Sequence, residues 1–93
     1  MYTVSSEIYD HVAALLVDAI ADKGFFSGSI ATCRDEVYMR LTATVVVYRN
    51  TGAGESRGAI ADIVPVWWEF HTLCGSEEII NDFSFATLRE HLA

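Results

Sequence analysis

The stretch Val37–Arg49, with the sequence VYMRLTATVVVYR, changes character at every second residue. One parity is apolar throughout and consists of Val37, Met39, Leu41, Ala43, Val45 and Val47. The other parity is largely polar or aromatic and consists of Tyr38, Arg40, Thr42, Thr44, Val46 and Tyr48. Because successive side chains of a β-strand point to opposite faces, this pattern predicts a long strand with one face on a core and the other face open.

The segment before this strand predicts an N-terminal helix over Ser5 to Lys23. Its inward stripe repeats at helical spacing and consists of Val4, Ile8, Val12, Leu15, Leu16, Ala19 and Ile20. Ser5 or Ser6 can cap the N-terminus of this helix, and Gly24 is expected to supply a left-handed exit after it.

Two further strands are predicted on either side of the long one. Phe25–Arg34 leads into it through a tight turn, and Ala59–Leu73 follows it after a hairpin loop over Arg49–Gly58. The alternation of the third strand changes phase at Pro65, which predicts a bulge or an edge position because proline cannot donate to the ladder.

The C-terminal part completes the predicted fold. Glu77 to Asp82 fits either a fourth short strand or a helical turn, and the pair Ile79-Ile80 favours the strand. Ser84 can cap a closing helix over Phe85 to Leu92. Residues 1–93 therefore predict a single α+β domain with two layers, in which the N-terminal helix packs on one face of a 3–4-stranded antiparallel meander sheet beside a short C-terminal helix.

Composition excludes several classes of function. The formal net charge is −7, from 13 acidic and 6 basic residues, and the basic residues are scattered, so nucleic-acid phosphate is not an expected partner. No apolar run approaches the roughly 20 residues that span a bilayer, and the N-terminus lacks a signal-peptide pattern. We therefore expect a cytoplasmic protein without a membrane partner, in which Cys33 and Cys74 are free, buried thiols.

Two motifs invite a chemical interpretation and are better explained structurally. The glycine-rich stretch over 52–58 is flanked by strands on both sides, so a hairpin tip is favoured over a phosphate loop, which needs a following helix. Glu7, His11, Asp18 and Asp22 share one flank of the first helix and could ligate a metal, but a solvated flank is the commoner arrangement. The sequence predicts neither a metal nor a cofactor.

The adjacent residues Trp67 and Trp68 cannot both face the core. With Val66 and Phe70 as guides, Trp68 is expected inside and Trp67 on the open face. A candidate binding set on that face then consists of Tyr38, Arg40, Tyr48, Trp67, Glu69 and His71. Aromatic residues with arginine are typical of interface centres, whereas Glu69 beside His71 could form a general base, although no nucleophile completes a catalytic set.

A second candidate surface lies on the outer side of the first helix, where Ala13, Val17 and Ala21 repeat every fourth position. These small side chains would allow another helix to approach closely, either from this chain or from a second copy. We therefore expect a small, soluble, non-enzymatic protein that acts through association, as a homodimer or as an adaptor to another protein.

The alternative is a small-molecule-binding domain or minor enzyme that uses the open face around Trp67, Glu69 and His71. A concave pocket there would favour this alternative, whereas a flat face would favour association. A weaker third hypothesis is an acidic inhibitor of a nucleic-acid enzyme, which would need one contiguous carboxylate surface.

Overall fold

Four antiparallel strands and two helices make up the part of the chain that the computed structural model describes, residues 1–51 and 58–92. In chain order the elements are α1 (Ser6–Ile20), β1 (Phe25–Arg34), β2 (Val37–Arg49), β3 (Ile60–Cys74), β4 (Glu77–Ile79) and α2 (Phe85–Glu90). The sheet has the order β1-β2-β3-β4, which confirms the predicted α+β meander and shows that the ambiguous segment forms a fourth strand.

A tight turn and a register shift determine how the long central strand pairs with its two neighbours. Asp35 and Glu36 form the two-residue turn before β2, and both have positive φ, 51° and 67°. Two such residues in succession define the turn type whose twist matches a β-hairpin, so β1 and β2 pair in register over all ten residues of β1. On the other side, the register between β2 and β3 shifts beside Pro65, which confirms the predicted irregularity.

The core lies between the inner face of the sheet and the two helices. The apolar parity of β2 is buried against α1, where Leu16 and Ile20 have no exposed surface. The C-terminal segment over 83–92, which we call the closing segment, covers the remainder of this face. Its residues Phe85 and Leu88 are fully buried. Phe83 stacks on Phe70 of β3 with ring centroids 4.0 Å apart, so the segment before α2 joins the sheet to the helical layer.

The predicted N-caps of both helices are observed, but the predicted C-terminal end of α1 is not. The Ser5 and Ser84 hydroxyls accept hydrogen bonds from the amides of Ile8 and Thr87, as expected of N-caps. However, α1 ends at Ile20 rather than Lys23, and the residue with positive φ at its end is not Gly24 but Ala21, with φ 53° and ψ −119°.

Arg49 explains the early end of α1. Its Nη2 lies 2.8 Å from the carbonyl oxygen of Ala21 and 2.8 Å from that of Lys23, and its Nη1 donates to the carbonyl of Gly58. The guanidinium group thus satisfies two carbonyls beyond the end of α1 that have no helical partner, which stabilises this end of the helix. Gly24 already belongs to the sheet, since its carbonyl accepts the amide of Val47 at 2.9 Å.

The expected burial of the two thiols is wrong, because Cys33 and Cys74 are both exposed and free. Cys33 lies on β1 opposite Tyr38, on the outer parity, whereas Cys74 lies on β3 opposite Val37, on the inner parity. With β2 between them, their strands lie roughly 9.5 Å apart, beyond the reach of a disulfide.

Candidate functional site: the open sheet face

The outer face of the sheet is the surface on which the candidate site residues converge. Both helices pack on the inner face, and along β2 each buried inner residue alternates with an exposed or half-buried outer one. The pairing register places on this face Phe25, Ser27, Ser29, Ala31 and Cys33 of β1, the outer parity of β2, Val64, Trp67, Glu69, His71 and Leu73 of β3, and Glu78 of β4. We call this surface the open face.

One end of the open face is apolar and aromatic. Phe25, Val46 and Val64 stand in one row across three strands, and Tyr48 and Trp67 flank this row. Neighbours in such a row lie about 5 Å apart, close enough for these side chains to form one continuous surface. We call these five residues the aromatic end. Its three rings are exposed to solvent, since Phe25 is 53% exposed, Tyr48 56% and Trp67 48%.

Sequence reasoning missed Phe25 and Val64 as members of this surface. The alternation of β1 is weak, because Gly28 and two serines interrupt its apolar positions. The tight turn carried the signal: counting outward in pairs from Asp35 and Glu36 brings Phe25 opposite Val46, on the outer parity.

The middle of the open face is polar, and His71 forms hydrogen bonds with two carboxylates there. Its Nε2 lies 3.0 Å from Oε2 of Glu69, and its Nδ1 lies 2.6 Å from Oε1 of Glu78. Both ring nitrogens can donate at once only in the imidazolium form. The hydrogen bonds to Glu69 and Glu78 accordingly raise the pKa of His71 above its ordinary value.

This arrangement limits what His71 can do chemically. A general base needs a ring nitrogen that is free to accept a proton, and here both nitrogens are occupied by carboxylates. Arg40 stands directly opposite His71 on β2 and Thr42 opposite Glu69, so the structure brings these predicted residues into adjacent rows. The group forms a cross-strand polar cluster between the aromatic end and the turn.

Tyr38 does not join the other predicted aromatic residues. It pairs with Leu73 beside the tight turn, ten residues along β2 from Tyr48. At about 3.3 Å per residue, the two tyrosines lie roughly 33 Å apart, at opposite ends of the open face. The predicted binding set therefore separates into the aromatic end, the polar cluster of His71, and Tyr38 on its own.

The two tryptophans lie on the faces that their parity predicts, with one difference in burial. Trp67 points outward opposite Thr44, and Trp68 points inward, with its ring centroid 5.5 Å from that of Phe83 and 6.2 Å from that of Phe85. Trp68 nevertheless remains 37% exposed, because β4 pairs only with the last three residues of β3 and leaves the edge beside Trp68 uncovered. Trp68 thus borders the core instead of lying within it.

The predicted association stripe on α1 is divided by the closing segment. Ala13 is buried, whereas Val17 and Ala21 are exposed. His91 stacks on Tyr9 with ring centroids 5.4 Å apart, which carries the chain after α2 across the first half of α1. A shallow groove of ≈400 Å³ remains beside Val17.

Two of the four candidate metal ligands, Glu7 and His11, are engaged with the sheet. Glu7 forms an ion pair with Arg34 at 2.7 Å, and Nε2 of His11 lies 3.0 Å from the hydroxyl of Thr32. Among residues 1–51 and 58–92, no cluster of three or more potential metal ligands occurs. The phosphate-loop alternative concerns the stretch over 52–58, of which residues 52–57 lie outside the described residues.

Comparison with protein-family models, with curated proteins and with solved structures found no match to this chain. Within the described part of the chain, no helix combines the length and the apolar character needed to cross a bilayer.

Proposed function

We propose that this protein acts through protein–protein association, as a homodimer or as an adaptor, and that the aromatic end of the open face makes the contact. The observation that carries the proposal is the exposure of Phe25, Tyr48 and Trp67 in three successive rows of a sheet face that neither helix covers. Large exposed apolar patches are uncommon on monomers and are typical of interaction sites.

The surroundings of the aromatic end match the anatomy of an interface. Interface centres are enriched in tyrosine, tryptophan and phenylalanine, and a polar rim surrounds them. Here the neighbouring rows carry hydroxyl pairs, Ser27 with Thr44 at 2.9 Å and Ser29 with Thr42 at 2.7 Å. These cross-strand bonds hold β1 and β2 in a fixed register, so the surface is largely preformed for a partner.

The test is the solution mass of three proteins, measured by light scattering over a wide concentration range. Wild type should exceed the monomer mass of 10.3 kDa at high concentration, and Trp67→Glu should lower the mass because it places a charge in the contact. Val17→Glu is the matched control, since it introduces the same charge at an exposed apolar residue on the helical side.

Each outcome distinguishes one surface from the other. An effect of Val17→Glu in place of Trp67→Glu would assign association to the outer side of α1. If wild type stays monomeric at high concentration while both variants fold normally, association loses its support and the ligand hypothesis becomes the better one.

A second candidate function is supported by a pocket of ≈280 Å³ between β3 and β4. His71 and Glu78 line this pocket together with Ile80 and Asn81, so it joins charged groups to apolar surface, as small-molecule sites do. Binding there should perturb the NMR signals of the His71 ring in a fragment screen. A screen in which no fragment shifts these signals, or in which fragments bind His71→Gln as tightly as wild type, would contradict this candidate.

A further inference from the structure

β1 is an edge strand, so one side of its backbone pairs with β2 and the other side pairs with no strand of the described residues. The amide of Val47 donates to the carbonyl of Gly24, so these two residues form a hydrogen-bonded pair at the start of the β1–β2 ladder. Because such pairs alternate with non-bonded ones in antiparallel sheets, the even-numbered residues of β1 bond to β2. The amides and carbonyls of the odd-numbered residues point away from the sheet, at Phe25, Ser27, Ser29, Ala31 and Cys33.

This edge lacks the features that normally prevent strand addition. From Phe25 to Cys33 it contains no charged residue and no proline, and its register with β2 runs without a bulge. In contrast, the uncovered part of the β3 edge has Pro65 within a register shift, and it is flanked by the Asp62–Arg89 ion pair. Of these two edges, only that of β1 is therefore open to pairing.

The outward residues of β1 are self-complementary around Ser29. If a second β1 strand approaches antiparallel with Ser29 facing Ser29, then Ser27 faces Ala31 and Phe25 faces Cys33, with the same contacts repeated by symmetry. The five outward residues of each strand then form five hydrogen-bonded pairs, and the large Phe25 ring faces a small side chain at each end. No charged side chain faces another along this length.

We propose that β1 is a homodimerisation edge that pairs with β1 of a second copy of this chain around a two-fold axis at Ser29. The pairing joins two four-stranded sheets into one sheet of eight strands. A two-fold axis perpendicular to the sheet keeps the helices of both copies on one side and the open faces on the other. This contact uses the backbone edge of β1, of whose residues only Phe25 also belongs to the aromatic end, and it doubles the area of open face available to a partner.

The sharpest test of this register is a pair of single-cysteine variants in a Cys33→Ser, Cys74→Ser background. Ser29→Cys should form a disulfide-linked dimer in a glutathione redox buffer, because directly opposed residues in a bonded pair have Cα atoms about 5.5 Å apart, within disulfide range. Ser27→Cys is the matched control, since both serines are exposed and both bond to a threonine of β2.

In the proposed register, the thiol that Ser27→Cys introduces would lie about four residues along the strand from its symmetry mate, roughly 13 Å away, and should cross-link at least about tenfold more slowly. The double variant Ser27→Cys, Ala31→Cys should restore cross-linking, because these two positions face each other. Equal cross-linking of the Ser27→Cys and Ser29→Cys single variants, or none by Ser29→Cys, would overturn the proposal.

A second test removes one outward amide. Ala31→Pro should be tolerated in the monomer, because the lost amide does not bond to β2, but it should block pairing. Sedimentation equilibrium should show wild type approaching twice 10.3 kDa, Ala31→Pro remaining at 10.3 kDa, and Ala31→Val behaving as wild type. A folded Ala31→Pro that dimerises like wild type would refute the proposal, and if this variant fails to fold, the cysteine pair decides.

Discussion

Replacing each tryptophan by alanine in turn tests which side of the sheet is core and which is surface. Trp68 is 37% exposed and Trp67 48%, so about 160 Å² and about 130 Å² of their roughly 250 Å² are buried. At about 25 cal/mol per Å², burial alone predicts similar losses of roughly 4 and roughly 3 kcal/mol, both upper bounds because the unfolded chain also buries surface.

The surroundings of the two rings should make the two losses in the free energy of unfolding differ. Removing Trp68 leaves a hole between the sheet and the closing segment, and it deletes ring contacts with Phe83 and Phe85 that contribute about 0.5–1.5 kcal/mol. Solvent fills the space left by Trp67 on the open face. We therefore expect Trp68→Ala to lower the free energy of unfolding by about 3–4 kcal/mol and Trp67→Ala by about 1–2 kcal/mol.

Urea unfolding of dilute protein, followed by circular dichroism, measures both values at concentrations where association is negligible. Trp68→Phe serves as a control, since it keeps an aromatic ring beside Phe83 and should recover part of the loss. If Trp67→Ala costs more than Trp68→Ala, the assignment of the inner and outer faces is incorrect and the aromatic end is not a free surface.

Three further predictions concern single groups. The raised pKa of His71 means that its protonated form stabilises the fold. This stabilisation is complete below the unfolded pKa and is lost as pH rises through the folded pKa. The NMR titration midpoint of His71 should therefore be higher in native than in urea-unfolded protein. Ala21→Gly should raise the free energy of unfolding by about 1 kcal/mol, because glycine adopts positive φ without strain, and an unchanged or lower value would contradict the assigned end of α1. Cys33 and Cys74 should both react with Ellman's reagent in native dilute protein, whereas an unreduced mass two hydrogens light would show a disulfide.

Local patterns predicted the elements well because they depend on side-chain direction and capping chemistry within a few residues. The alternation of Val37–Arg49 fixes which side chains of β2 are buried, and Ser5 and Ser84 start the two helices as expected. Pro65 marked the register shift because a proline has no amide to donate.

Long-range contacts determined what the sequence could not predict. The end of α1 depends on Arg49, which is 28 residues from the carbonyl of Ala21 that it binds, so Gly24 was a reasonable but incorrect choice. The exposure of Trp68 depends on where β4 stops along β3. The His71 cluster needs Glu78, whose side chain could not be placed while its segment fitted either a strand or a helix.

The accessibility of Trp67 at increasing protein concentration tests the proposed association surface most directly. In a Trp68→Phe variant the remaining indole is that of Trp67. Acrylamide quenching of its fluorescence then reports the solvent access of this one residue. We expect strong quenching in dilute protein, where the indole is about half exposed, and progressive protection with a blue-shifted emission as the concentration rises. Quenching that stays constant up to the highest concentration would contradict self-association through the open face, and weak quenching even in dilute protein would show that this face is not free.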